Sequence, residues 1–288
     1  MYLHENESFR DVILEVSNRS GISEDIIEKD YYITLILKEL RDKESGVVFK
    51  GGTSLSKAFH AIDRFSEDVD ITFTEYLDAQ KRKRLKYSII KPISRELGLT
   101  ISNWKKTASY MDYNKYELSY KSISEMDNPI PPMVVLETAL MSYSFPVEDK
   151  EITSIIYDYL KETDMSVLEK YDLVPFEMKV QSLVRTLVDK MFAVCDYYIL
   201  GRARRNSRHL YDVYKLYPLV NENEIEDLIK EVRIHRAKMD DRIAPSAKED
   251  VDIPSVVNAL LEEDFYKTDY EERTVGLIND DISYDEVK

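Results

Sequence analysis

Residues 47 to 73, VVFKGGTSLSKAFHAIDRFSEDVDITF, constrain the fold of this chain more than any other stretch. Val47, Val48 and Phe49 make a short apolar run of the kind found in buried strands, and the run meets Gly51 and Gly52. The chain has only 7 glycines, and two of them stand side by side here. Adjacent glycines permit positive φ and leave no Cβ in the way, so another group can approach the main chain where Thr53 or Ser54 is expected to open a helix. The first N–H groups of a helix lack partners and sit at the positive end of its dipole, which favours a phosphate. Leu55, Ala58, Phe59 and Ile62 have the spacing of that helix's buried side, with a turn expected at Asp63 and Arg64.

Alternation then takes over in Asp68, Val69, Asp70, Ile71, Thr72 and Phe73. In a strand, Val69, Ile71 and Phe73 turn to one face, and Asp68 and Asp70 stand side by side on the other. Two carboxylates so close repel each other unless a cation lies between them. Hard oxygen ligands point to Mg²⁺ or Mn²⁺, which would also bridge the phosphates of a nucleotide. A third acid stands in the run Met133 to Leu140, MVVLETAL, where Glu137 interrupts a strand that is otherwise apolar. Burying a carboxylate without a partner is costly, so Glu137 either has a partner or faces water.

Around this centre the spacing predicts helices over 8–20 and 23–41, the second with Ser23 at its N-cap and Ile26, Tyr31, Ile33, Leu35, Ile36 and Leu40 inward. Lys29 and Asp30 read as a solvated face of that helix. A long helix is expected from about Leu77 to Leu97, kinked or split at Pro92, with a basic opening, KRKRLK, at Lys81 to Lys86. Strands are expected over 101–105, 115–120 and 176–180, a loop over 121–132 and a helix over 152–161. From Ser182 the pattern is nearly all helical, which places the domain boundary between 181 and 182 and gives domains 1–181 and 182–288. Helices over 182–200 and from about Ser207 to Tyr217 flank a second basic cluster, RARRNSR, at Arg202 to Arg208. Residues 221–266 add further helices, Ala244 to Pro254 reads as a loop, and the tail after about Asp269 is expected to be poorly ordered.

Taken together, strand, Gly-Gly-Thr-Ser, helix and Asp-x-Asp strand resemble the nucleotide and metal site of the DNA polymerase β-like nucleotidyltransferase superfamily. More narrowly, the chain is similar to the AbiEii/AbiGii-type nucleotidyltransferase toxins, over most of residues 20 to 217. The stretch Glu28, Lys29, Asp30, Tyr31 recurs in that family. So does a later motif matched here by Arg185, Lys190, Arg205, Arg208, Tyr211, Asp212 and Tyr214. Family members usually carry Arg-Asp where this chain has Arg208 and His209, which leaves Asp212 as the acid of that motif.

The resemblance implies an α+β fold, a small mixed sheet flanked by helices followed by a mainly helical C-terminal domain. It implies Asp68, Asp70 and Glu137 as metal ligands and catalytic residues, joined by Lys190 and Asp212. Gly51, Gly52, Thr53, Ser54, Lys57 and Arg208 would then bind the nucleoside triphosphate. It further implies transfer of a nucleotide to the 3′ end of tRNA or another RNA acceptor with release of pyrophosphate, in a toxin–antitoxin or abortive infection system with a cognate antitoxin. From the residues alone, a protein or small-molecule acceptor, and a catalytically silent nucleotide-binding module, stay open. Lys57 on an exposed helix face, and Asp212 in a plain i,i+4 ion pair with Arg208, are the ordinary alternatives for those two residues.

A net charge of −15 is awkward for a nucleic-acid binder, since cationic side chains on phosphates supply most non-specific affinity. The average hides contrast between the two basic clusters and an acidic tail, so one face can suit RNA and another a basic partner. Cys195 is the only cysteine and no intrachain disulfide can form, as expected of a cytoplasmic protein. No apolar run reaches the length needed to span a bilayer, so no membrane partner is expected.

Overall fold

A computed structural model of the chain describes residues 1–64, 66, 68–123, 130–140 and 144–288. Much of the expected loop over 121–132, and Leu140's neighbours 141–143, lie outside them. Packing divides the chain into two units. The first comprises Met1–Ala58 and Glu67–Val180, and the second comprises Phe59–Ser66 and Gln181–Lys288.

In the first unit, α1 (Phe9–Ser20) and α2 (Glu24–Lys43) precede β1 (Val47–Lys50). Helix α3 (Gly51–Lys57) follows without a break, then β2 (Asp68–Phe73), α4 (Ala79–Arg84) and α5 (Lys91–Glu96). Next come β3 (Thr100–Ile101), β4 (Tyr113–Ser119), β5 (Met133–Ala139) and β6 (Val147–Ile152), and then α6 (Ile155–Leu160), α7 (Met165–Lys170) and β7 (Phe176–Gln181). The seven strands form one mixed sheet in the order β3-β4-β5-β2-β1-β7-β6. Strand β2 runs antiparallel to β1 and parallel to β5, and β4 runs antiparallel to β5. The face bearing Phe49, Val69, Ile71, Leu136 and Tyr116 is buried, which is why the alternation in β2 is so regular.

Several expectations change here. Helix α3 starts at Gly51 rather than Thr53 and stops at Lys57, with Ala58 as its C-cap, and His60 beyond it takes a left-handed φ of 50°. Ala61 and Ile62 are buried as their spacing suggests, but in a non-helical segment of the second unit. Helix α2 is buried on nearly every side: Ile27 rather than Ile26 turns inward, and Glu28 and Lys29 are each 1% exposed. The solvated face expected for Lys29 and Asp30 is therefore not there. The long helix runs without a break from Ala79 to Glu96, shorter at both ends than expected, and a π-helical turn at Leu85–Ile90 immediately precedes Pro92, which is neither a break nor an end of it. The strand expected over 101–105 shortens to Thr100–Ile101. Asn103 replaces its ladder, its side chain accepting from the Glu117 N–H (3.1 Å) and donating to the Lys115 carbonyl (2.8 Å).

In the second unit, α8 (Leu183–Ile199) is the central helix, and α9 (Arg208–Leu216), α10 (Glu222–Arg236) and α11 (Ile253–Glu262) all pack on it. The tail is packed, not loose. Tyr270 and Tyr284 are buried and meet edge-on at 5.9 Å, and Asp280 accepts hydrogen bonds from Tyr211 (2.7 Å) and Lys215 (2.9 Å). Sparse aromatic anchors hold this tail where no helical period announces it. Among the described residues, no helix is long and apolar enough to cross a membrane.

Candidate functional site

Strand pairing in the first unit sets four charged residues in one cross-sheet row. Lys50 on β1 is opposite Asp70 on β2, Asp70 is opposite Glu137 on β5, and Glu137 is opposite Lys115 on β4. Directly opposed residues share a face, so Asp70, Glu137 and, two residues along β2, Asp68 stand on the same side of the sheet. The Lys115 ammonium lies 3.0 Å from Glu137 Oε1. Burial works against its charge, yet Glu137, with Asp68 and Asp70 behind it, holds the Lys115 pKa above the ordinary lysine value. Tyr113, next on that face of β4, has its phenol pKa raised by burial, by its hydrogen bond to Glu137 and by the charges of Glu137, Asp70 and Asp68. Two side chains on β4 thus feel all three carboxylates at once.

Gly51 closes the other side of this group. Its φ is +79°, and a Cβ added there would sit 2.0 Å from Asp70 Oδ2, so no other residue fits without moving the carboxylate. Lys50 occupies the N-cap of α3 and its side chain makes no capping bond. The hydroxyls that follow are used internally. Thr53 donates to the Asp68 carbonyl and Ser54 donates to the Gly51 carbonyl (2.8 Å), which ties the helix start to β2 and occupies both hydroxyl protons internally. Lys57 is 8% exposed and pairs with Asp30 of α2. Asp30 also accepts from the Ile155 N–H at the start of α6 (2.8 Å), so α2, α3 and α6 meet at one largely enclosed carboxylate. Glu28 accepts from the Ser122 hydroxyl (2.9 Å) and the Ile123 N–H (3.0 Å), and burial pushes its carboxyl pKa up.

The residues of the later motif gather in the second unit around Asp212. The Arg64 guanidinium grips both Asp212 oxygens, Nε at 2.7 Å and Nη2 at 2.9 Å, and Lys190 Nζ lies 2.9 Å from Oδ2. Arg64 and Asp212 side chains are 1% and 0% exposed. Burial alone would raise the Asp212 pKa, but Arg64 and then Lys190 hold it well below the usual carboxylate range. Burial lowers the Lys190 pKa despite Asp212, and burial with Lys190 keeps His209 neutral. His209 Nδ1 therefore accepts from Lys190 at 3.4 Å, while its ring stacks on Tyr197. Arg208 is not the partner of Asp212; its Nε is buried with no hydrogen-bond partner among the described residues. The basic loop before it is held through main-chain amides, with Arg205 N–H and Ser207 N–H donating to Asp269 (2.8 and 3.2 Å), and the Arg202, Arg204 and Arg205 side chains are exposed.

Against known families, residues 35–287 match the model of the nucleotidyl transferase AbiEii toxins of type IV toxin–antitoxin systems. The chain belongs to the AbiEii family. Its mixed sheet and flanking helices are the α+β fold expected of a nucleotidyltransferase. Membership supports nucleotidyl transfer as the general activity and a cognate antitoxin as a partner. No individual curated protein matches the sequence.

Among the described residues of this AbiEii protein, no three His, Cys, Asp or Glu side chains are drawn together as a ready-made metal cage. The donor set on the β2–β5 face nonetheless suits a hard divalent cation: three carboxylates, no sulfur or imidazole, and an ammonium already attracted to them. From the sequence, Lys115 and Tyr113 have no site role, Arg64 is marked only as part of a turn, and Asp30 reads as a solvated residue within a stretch that recurs in the family. Lys115 and Tyr113 share the polar phase of β4, a signal that could have found them once β4 and β5 were paired.

Proposed function

We propose that this AbiEii-family protein is a divalent-metal-dependent enzyme that moves a nucleotide from a nucleoside triphosphate to an RNA, at the 3′ end of tRNA, and releases pyrophosphate. The observation that carries this is the in-register pair Asp70 and Glu137 with Asp68 beside it, closed on one side by the Cβ-free approach of Gly51. Mg²⁺ or Mn²⁺ bound by Asp68, Asp70 and Glu137 would neutralise charge that develops on the phosphates. The chain's own part is positioning. The main chain at Gly51, Gly52, Thr53 and Ser54 receives triphosphate oxygens, and Glu137 or Asp70 accepts the proton of the acceptor hydroxyl as its oxygen bonds to the α-phosphorus and the bond to the β-phosphate oxygen breaks. Lys57 supports the site through Asp30 instead of touching phosphate. Within the second unit, Asp212 fixes Lys190 in place, and Lys190 with Arg208 forms a positively charged group of its own.

The direct test incubates the protein with Mg²⁺, each α-labelled nucleoside triphosphate in turn and total cellular RNA, beside an Asp68→Asn, Asp70→Asn variant. Label in a tRNA-sized band from the wild type alone is expected. Label on protein or a small molecule, or bound nucleotide with no pyrophosphate released, overturns the RNA assignment.

A further inference from the structure

The first unit carries a second feature that nucleotidyl transfer does not absorb. Between residues 79 and 111 the sequence holds nine Lys and Arg and a single acid, Glu96, in a chain with 55 acidic residues. Glu96 is taken by Lys43 at 2.8 Å. The first basic residues are also partly neutralised, Lys81 by Glu75, Arg82 by Asp112 and Arg84 by Glu44. Lys83, Lys91, Lys105 and Lys106 have no ion-pair partner among the described residues.

These lysines surround aromatic rings. Trp104, the only tryptophan of the chain, opens a short 3-10 turn, Trp104–Lys106, at the β3 edge of the sheet. Tyr87 meets it edge-on at 5.6 Å and is 46% exposed. Lys86 and Lys91 place their ammonium groups 4.4 and 5.5 Å from the indole centroid. Lys83, Tyr87 and Lys91 recur at helical spacing, so cation, ring and cation line one side of the α4–α5 rod. The turn is held rigidly. Thr107 Oγ1 donates to the Trp104 carbonyl (2.9 Å), Lys86 Nζ donates to the Thr107 carbonyl, and Asn103 clasps β4 on both sides.

Uncompensated lysines around a preformed aromatic platform are complementary to a flexible polyanion whose monomers carry flat rings. A duplex hides its bases and a lipid surface offers none to stack. We propose that this face binds the single-stranded part of an RNA, bases stacking on Tyr87 and Trp104 while Lys83, Lys91, Lys105 and Lys106 take the phosphates. The preference for RNA over DNA rests on the acceptor named above; the stacking and charge do not.

Because Trp104 is the sole indole, its emission reports this face directly. The test titrates the full-length protein, without metal or nucleoside triphosphate, with a short unstructured fluorescein-labelled oligoribonucleotide, following tryptophan quenching and fluorescein anisotropy across a salt series. The wild type is expected to bind with quenching. Tyr87→Ala is expected to weaken binding about tenfold, and Lys105→Gln with Lys106→Gln to lower the salt slope by about 1.4, at about 0.7 per lost phosphate contact. All three positions are at the surface, and unchanged melting temperatures confirm folded variants. Binding without a change in Trp104 emission, variants that bind like wild type, or tighter binding to DNA of the same sequence or to anionic vesicles each overturn the proposal. The two readings fail separately. RNA labelling with no Trp104 response removes this surface and leaves the reaction, whereas quenching without labelling does the reverse.

Discussion

Aspartate serves opposite ends in the two units. On the β2–β5 face, Asp68, Asp70 and Glu137 are gathered on one side of a sheet with a half-exposed lysine on Glu137. In the second unit a single carboxylate, Asp212, is enclosed by Arg64 and Lys190 and shut off from water. The first arrangement has negative charge in surplus and the second has positive charge in surplus. A surplus of carboxylate marks a place where a cation is to arrive, and a carboxylate saturated by cations is a fixed counterion. Asp212 is therefore unsuited to act as a base, and what the structure gives it is the fixing of Arg64 and Lys190.

The comparison predicts different losses. Asp70→Asn should abolish nucleotidyl transfer, by about 10³-fold or more if the carboxylate carries several kcal/mol of charge stabilisation, while the melting temperature stays equal or rises; a steady-state assay beside calorimetry measures both. Asp212→Ala should do the reverse in kind, destabilising the second unit by about 3–5 kcal/mol because Arg64 and Lys190 are left buried without their counterion. Denaturant titration checks this. A stable Asp212→Ala would break the contrast.

Acid should separate the two regions as well. The folded-state pKa of Asp212 is depressed, so its stabilisation is present above its unfolded pKa of about 3.9 and is lost as pH falls below that toward the folded value. Unfolding of the second unit should therefore steepen below about pH 4, and Asp212→Asn should flatten that slope. The smallest effect belongs to Lys115→Met. A half-exposed ion pair is worth about 0–1 kcal/mol, so freeing Glu137 should lower the divalent-cation concentration for half-maximal activity by up to about fivefold. A rise would show that Lys115 assists the reactants instead of competing with the cation.

What the sequence disclosed follows from how local each signal is. The alternation of Asp68 to Phe73 and the paired glycines need only neighbouring residues, and the structure adds the reason Gly51 is there: its missing Cβ makes room for Asp70. Glu137 was visible as an acid in an apolar strand. Its companion Lys115 was not, because their meeting depends on the β4–β5 register. Charges buried by distant partners were the least legible. Asp30 read as solvated and Lys57 as a phosphate contact or an exposed helix face, and Asp212 had Arg208 one helical turn away as the obvious partner, whereas the actual partner, Arg64, lies 148 positions earlier. The edge strand β6 and the aromatic-anchored tail escaped for a related reason, since neither has an apolar period of its own.

The function proposed for this protein depends most on the β2–β5 carboxylates binding a divalent cation together with the nucleotide. Titrating Mn²⁺ against the protein and a non-hydrolysable nucleoside triphosphate, with free Mn²⁺ read by electron paramagnetic resonance, tests this in wild type and in Asp68→Asn, Asp70→Asn. Saturable, nucleotide-enhanced binding is expected of the wild type, and the variant is expected to lose it while its melting temperature is kept. Equal Mn²⁺ binding by both proteins, or none by a wild type that holds nucleotide, would contradict it.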